Sequence, residues 1–225
     1  MGKLICGKNS VQDAIKNELP LAKVYLLKSP VLKINKNMKV QIISKKEMDK
    51  LTRENHQGFV AELKEFNYYT LEDILRDKPE RFLILDRVQD PHNFGAILRS
   101  ANAFGIKHVL IAKDRQVEVT PTVLKVSSGG YVGIKVVRVD SMQTAIKKLK
   151  DSGIWIYATS LEKAAPVSQV TFNTPMALVI GNEGKGVSKP ILKQSDQNVY
   201  IPMEGTVQSL NVSVATGILL SNLSK

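Results

Sequence analysis

From Arg81 onward, short apolar runs recur along the chain as RFLILD, KHVLIA, IKVVRV, IWIYAT, MALVIG and NVYIPM. Runs this short and apolar read as strands, and the continuous run Met176–Ile180 reads as one buried on both faces. Between them the apolar positions take a helical spacing, as at Ile97, Ala101 and Phe104, which lie at i, i+4 and i+7. The rhythm predicts a mostly parallel sheet covered by helices, an α/β architecture.

Before residue 66 the pattern differs. A helical stretch, Ser10 to Leu19, precedes short apolar runs at Lys23–Leu27, Val40–Ile43 and Gly58–Glu62, which predicts a small α/β lobe. Ser10 is positioned to cap that helix, with Asp13 approximating a capping box, and Pro20 ends it. Residues 66–80, FNYYTLEDILRDKPE, turn acidic and aromatic, and Pro79 blocks a smooth run into the next strand. The expected organisation is a small α/β domain over 1–66, a linker over 67–80 and a larger α/β domain over 81–225. The last segment, Leu210 to Leu223, reads as a helix with little polar face, to be buried or packed on a second subunit.

Three segments put glycines and small polar residues beside strands: Asp90–Phe104 (DPHNFGAILRSANAF), Leu178–Ser188 (LVIGNEGKGVS) and Ile201–Ala215 (IPMEGTVQSLNVSVA). In the first, Asp90, Pro91 and Asn93 form a turn, Asn93 is placed to cap the next helix and Gly105 stops it. At about 100° per residue Arg99 lies roughly 200° from Ile97, so it points away from the core. Periodicity alone leaves two readings of Arg99, a solvated surface arginine or a cleft residue. His92 reads as a turn residue or phosphate contact more readily than as a general base. In the second segment the loop Gly181–Gly186 lets backbone approach a ligand closely. It is neither a phosphate-binding P-loop, because Gly186 follows Lys185, nor the GxGxxG dinucleotide fingerprint. In the third, a strand over Val199–Met203 leads through Glu204–Gln208 to Ser209 and Asn211 at a helix start, where free N–H groups gather. Taken alone, this segment also reads as a strand followed by a capped buried helix.

Charge narrows the partner class. Lys and Arg number 32 against 21 acids, a net of +11, and residues 1–50 hold 11 Lys and no Arg against 4 acids. Such an excess suits a polyanion bound through phosphate contacts and counterion release. Cys6 is the single cysteine, so no disulfide framework and no zinc-ligand spacing is present, and a reducing cytoplasm is expected. No stretch approaches the roughly 18 apolar residues that a membrane span requires.

With their order and residues, the three segments resemble the signature motifs of the SpoU family of RNA ribose 2′-O-methyltransferases, in particular its 23S rRNA guanosine branch. Asn55-His56-Gln57-Gly58 is similar to the close of the small substrate-binding lobe of that branch. The resemblance implies a methyltransferase domain with a deep trefoil knot, one of the rare exceptions to unknotted chains, and a homodimer. It implies S-adenosylmethionine as cofactor, contacted by Thr159, Gly181, Ile201 and Leu210, and no metal. It implies catalytic roles for Asn93, Arg99, Glu183, Ser209 and Asn211, and structured RNA as substrate: 23S rRNA, with tRNA or a non-catalytic assembly role as alternatives. Gly130-Tyr131-Val132-Gly133 departs from the family's usual alanine and charged residues, which bears on substrate identity. The family mechanism casts the arginine matching Arg99 as base. A guanidinium has a pKa above about 12, and a neighbouring phosphate raises it further. The expectation is therefore that Arg99 clamps phosphate and the proton passes to Glu183 or water.

Overall fold

The computed structural model describes residues 4–16, 18–28 and 38–223. Its contacts divide the chain into two compact units, Met1–Asn67 with Val119–Gly129 and Tyr68–Glu118 with Gly130–Lys225.

The first unit contains β1 (Leu4–Cys6), α1 (Lys8–Lys16), β2 (Leu21–Leu26), β3 (Val40–Ile42), α2 (Lys45–Leu51) and β4 (Phe59–Leu63). Its sheet runs β1-β4-β2-β3, with β4 antiparallel to both neighbours and β2 parallel to β3. Val11, Ala14, Val24, Leu26, Met48 and Val60 are buried in it. Helix α1 starts earlier than expected: Gly7 takes φ +97° and its carbonyl accepts from Val11 N at 3.0 Å. Ser10 therefore lies inside the first turn and does not cap it, because glycine reaches the left-handed backbone that turns the chain into the helix. The capping box belongs to α2, where Ser44 N donates to Glu47 Oε2 at 2.8 Å and Glu47 N to Ser44 Oγ at 3.3 Å.

The Asn55–Gly58 turn closes β4 onto the lobe. His56 Nε2 meets Asp49 Oδ1 at 2.9 Å, Gly58 N donates to His56 Nδ1 at 2.9 Å, and Gln57 Oε1 accepts from Lys8 N at 3.2 Å. Of the lysines in the basic stretch, Lys3, Lys33 and Lys36 lie outside the described residues. Helix α5 (Pro121–Ser127) also belongs to this unit, and its Lys125 pairs with Asp13 at 2.9 Å.

The second unit holds α3 (Leu71–Asp77), β5 (Arg81–Leu85), α4 (Pro91–Ala103), β6 (His108–Ala112), β7 (Lys135–Val139), α6 (Met142–Asp151), β8 (Trp155–Thr159), β9 (Ala164–Pro166), β10 (Met176–Ile180), α7 (Lys189–Leu192), β11 (Gln197–Tyr200) and α8 (Val212–Leu223). The seven strands are parallel, in the order β7-β6-β5-β10-β8-β11-β9. Strand β10 is buried throughout, as expected of a central strand. The stretch read as a linker carries α3, whose Leu71 and Ile74 join the core with Phe82, Ile84 and Leu110. Ahead of it Tyr69 bonds along β7, donating to Val136 O at 2.9 Å and accepting from Arg138 N at 3.0 Å, which covers that strand's edge.

Connections between the last strands interleave. The chain passes from β8 to the edge at β9, returns to β10 between β5 and β8, then crosses to β11 between β8 and β9. Strand β11 ends at Tyr200, earlier than the Val199–Met203 read from the apolar run, because Pro202 lacks the N–H that a ladder needs. Helix α8 starts at Val212 and packs along α4, with Gly217 facing Ser100. Val212, Thr216, Leu219 and Leu220 are buried, while Val214 and Ile218 stay on its open face. Among the described residues no helix is long and apolar enough to cross a membrane.

Candidate active site

All strands of the larger sheet point the same way, so the loops that leave β5, β8, β10 and β11 meet at one end. Leaving β5, Asp86 is 5% exposed and its carboxylate accepts from Arg87 Nε at 3.0 Å and from Ser188 N at 2.7 Å. Arg87 takes φ +64°, a left-handed backbone uncommon outside glycine. Asp90, not Asn93, caps α4: its Oδ1 accepts from His92 N at 2.8 Å, and Pro91 takes the first helical position. Asn93, relieved of capping, turns its amide toward the neighbouring loop and is 8% exposed. His92 is exposed and its ring contacts Asp90, consistent with a turn residue.

The loop after β10 folds back on itself, with Asn182 N donating to Gly186 O at 3.1 Å and Gly186 N to Asn182 O at 2.9 Å. Gly181 is required by space: a Cβ there would sit 2.1 Å from Gly186 C and Val187 N. The loop brings Glu183 to Asn93, whose Nδ2 donates to Glu183 Oε1 at 3.1 Å. Asn211, ahead of α8, donates its Nδ2 to Asn93 Oδ1 at 2.9 Å, while its own Oδ1 accepts from Ser213 N at 2.9 Å and caps the helix. The polar chain Asn211, Asn93, Glu183 thus joins residues from all three sequence segments.

Beside it is a cavity of about 570 Å³, lined among others by Thr159, Gly181, Ile201, Leu210, Glu183 and Ser209. Its volume falls within the roughly 300–1,000 Å³ typical of small-ligand sites. Ile180, Val199 and Leu219 add apolar wall, and Thr159 Oγ1 donates to Val179 O at 3.1 Å. All four residues expected to contact a cofactor therefore share one cavity, with two of the five expected catalytic residues. Asn93 and Asn211 reach it through Glu183. Arg99 stands apart: it is exposed on α4, one residue from Ser100, and is not among the cavity's lining residues. Two residues not singled out in the sequence hold the loops: Asp86, and Asn182, whose Nδ2 donates to Arg87 O at 2.9 Å. An asparagine directly before Glu-Gly carries the signal of a side-chain-closed turn.

The profile of the SpoU rRNA Methylase family matches residues 80–221, and that of the RNA 2′-O ribose methyltransferase substrate-binding domain matches residues 4–69. The chain belongs to the SpoU rRNA methylase family. It is accordingly an RNA methyltransferase, and the cofactor of this SpoU chemistry is S-adenosylmethionine. A putative TrmH family tRNA/rRNA methyltransferase, YacO of Bacillus subtilis, is 34% identical over 96% of this chain and 92% of its own. The 23S rRNA (guanosine-2′-O-)-methyltransferase RlmB of Coxiella burnetii is 39% identical over 84% of this chain and 77% of its own. The fold is shared with the SpoU methyltransferase AviRb from Streptomyces viridochromogenes, crystallised in complex with AdoMet, at a TM-score of 0.71 and 23% identity over 99% of this chain and 89% of that one. The SpoU cofactor fits the cavity chemically: apolar side chains such as Ile201 and Leu210 suit an adenine ring, and the closely folded glycine loop offers backbone at short range.

Proposed function

We propose that this enzyme transfers a methyl group to a ribose 2′-hydroxyl of 23S ribosomal RNA. One observation carries the reading: Glu183 lines the cavity that holds the four expected cofactor contacts and also ends the hydrogen-bonded chain from Asn211 through Asn93. A reacting hydroxyl and a methyl donor can therefore meet at one carboxylate. The 39% identity to a 23S rRNA enzyme supports the ribosomal substrate.

S-adenosylmethionine, when bound, supplies an electrophilic methyl carbon. Thr159, Gly181, Ile201 and Leu210 would hold it, and Ser209 with Asn211 would orient the RNA. The transfer would exchange the sulfur–methyl bond for an oxygen–methyl bond, with S-adenosylhomocysteine as the leaving group, and Glu183 would accept the 2′-hydroxyl proton, its carboxylate fixed by Asn93. Arg99 binds an RNA phosphate as a fixed positive charge, since a guanidinium stays protonated in proteins and serves as a charge and not a base. Fixing reactants in this way can supply about 7–11 kcal/mol of a barrier, so positioning carries much of the catalysis.

In the same reading residues 1–66 form the substrate-binding domain, 67–80 the connector and 81–225 the methyltransferase domain. The interleaved order of β8 to β11 supports a trefoil-knotted C-terminal segment. Val214 and Ile218 on the open face of α8 support a homodimer, and light scattering that finds a monomer at micromolar concentration defeats the dimer. The activity is tested by transfer of labelled methyl to unmodified 23S rRNA and to bulk tRNA, with mapping of alkali-resistant 2′-O-methyl positions. Label at one 23S nucleotide is the expected result; label in tRNA alone overturns the substrate.

A further inference from the structure

Asn182 uses its whole side chain. Its Oδ1 accepts from Gly184 N at 3.0 Å and Lys185 N at 3.1 Å, and its Nδ2 donates to Arg87 O at 2.9 Å and to Glu183 Oε2 at 3.1 Å. The first pair shapes the glycine loop. The second pair does something different: it ties that loop to the backbone leaving β5 and holds one oxygen of Glu183. Asn93 holds the other oxygen, at 3.1 Å. Glu183 is an exposed side chain, and an exposed glutamate with free rotors would sample many orientations. Two amide donors, one on each oxygen, the one from the glycine loop and the other from the first turn of α4, restrict it to one.

We infer that Asn182 is a positioning residue for methyl transfer, fixing the Glu183 carboxylate by sharing its two oxygens with Asn93. This rests on the reading of Glu183 as proton acceptor. Neither amide can be reversed: turning the Asn182 side chain over would direct its oxygen at Glu183 Oε2 and at Arg87 O, two acceptors. The same holds for Asn93, whose oxygen is engaged by Asn211 Nδ2 at 2.9 Å. A second link, Asp86 to Ser188 N at 2.7 Å, ties the far end of the loop to the same backbone. The loop's attachment thus survives loss of Asn182 Nδ2, whereas the hold on Glu183 Oε2 does not.

Asn182→Asp separates these duties, since it keeps an acceptor for Gly184 N and Lys185 N but sets a carboxylate against Glu183. Asn182→Ser, neutral and smaller, guards against a misfolded aspartate variant. Cofactor affinity by calorimetry is expected to stay within about threefold, and single-turnover transfer to fall on the order of 10- to 100-fold, the range for hydrogen bonds to a charged group. In a Glu183→Gln background, where the glutamine amide can donate to the introduced carboxylate, Asn182→Asp is expected to cost less than about twofold, the mark of residues acting as a unit. If Glu183→Gln is impaired and Asn182→Asp still adds its full factor, the positioning role is overturned while the reading of Glu183 stands. If Glu183→Gln transfers at the wild-type rate, the reading of Glu183 falls, and the inference with it. Equal losses of affinity and transfer rate assign Asn182 to loop structure alone.

Discussion

At the amino ends of β5, β6 and β7, Asp77 accepts from His108 Nε2 at 2.7 Å and from Lys135 Nζ at 2.5 Å, beside a cavity of about 550 Å³. At the carboxyl ends of the same sheet, a cavity of about 570 Å³ adjoins the Asn211–Asn93–Glu183 chain. Volume does not tell the two apart. Chemistry does: at the amino end the carboxylate is taken up by a lysine and a histidine on regular elements. At the carboxyl end Glu183, on a loop that glycine makes possible, accepts among the described residues from two neutral amides, Asn93 and Asn182. Parallel sheets bind ligands at their carboxyl ends because the loops leaving the strands gather there. The amino-end cluster reads as stabilisation, the carboxyl-end cluster as function.

The largest break in this contrast is expected from Gly181→Ala. The added methyl would sit 2.1 Å from backbone atoms of Gly186 and Val187, a distance that forces the loop to move. Cofactor binding by calorimetry and methyl transfer should both be lost. Gly105, where a Cβ has nothing within 4 Å but φ is +72°, offers the control at the amino end. Gly105→Ala should cost about 1 kcal/mol of stability through backbone strain, with transfer unchanged. Wild-type cofactor affinity in Gly181→Ala would sink the loop as the binding element.

Next in size is Arg99. It is exposed and no hydrogen bond or ion pair involves it among the described residues, so Arg99→Ala should leave the melting temperature unchanged. Transfer should nonetheless fall by about 10²–10³-fold, as when one preorganised electrostatic contact is removed. Arg99→Lys distinguishes base from clamp. An amine gives up its proton more readily, so activity retained with a displaced pH profile would make proton loss at this position the function. Loss at every pH, with RNA still bound, supports the phosphate clamp.

The contrast also explains what can be read from the sequence. Strands β5, β6, β8 and β10 announce themselves because inner strands of a sheet covered on both faces are largely apolar. Thr159, Gly181, Ile201, Leu210, Glu183 and Ser209, carried over by family resemblance, do share one cavity. Elements stabilised by single polar contacts are harder to read. Helix α3 is short and lies in an acidic, aromatic stretch, yet Thr70 and Asp73 form a capping box, with Thr70 N donating to Asp73 Oδ2 at 2.8 Å. The chain FNYYTLED carries that box, and the buried Leu71 and Ile74 decide its docking. Asn93 reads as a cap because asparagine caps helices. Asp90 followed by Pro91 competes better, and only the three-dimensional meeting with Glu183 reveals what Asn93 does instead. Asn182 and Asp86 bind residues close in space and remote in sequence, Asp86 to Ser188 and Asn182 to Arg87, so no local pattern discloses those links.

The smallest expected effect lies at the amino end and tests its assignment to stability. Hydrogen bonding from Lys135 first, and from His108 second, holds the Asp77 carboxyl well below its ordinary range, to about 2. An unfolded chain returns it to about 3.9. A carboxyl whose folded pKa is the lower one stabilises the fold when ionised, so its contribution is complete above about pH 4. The contribution is lost as the pH falls from there through about 2, below which both states bind the proton. Asp77→Asn removes this component. Melting temperature near neutrality should drop by a few degrees, and the dependence of stability on pH between about 4 and 2 should flatten relative to wild type. Because the variant keeps an oxygen for His108 Nε2 and alters nothing at the carboxyl ends, methyl transfer per folded molecule should be unchanged. A fall in transfer without a fall in stability would move the amino-end cavity from the stabilising side of the comparison to the functional one.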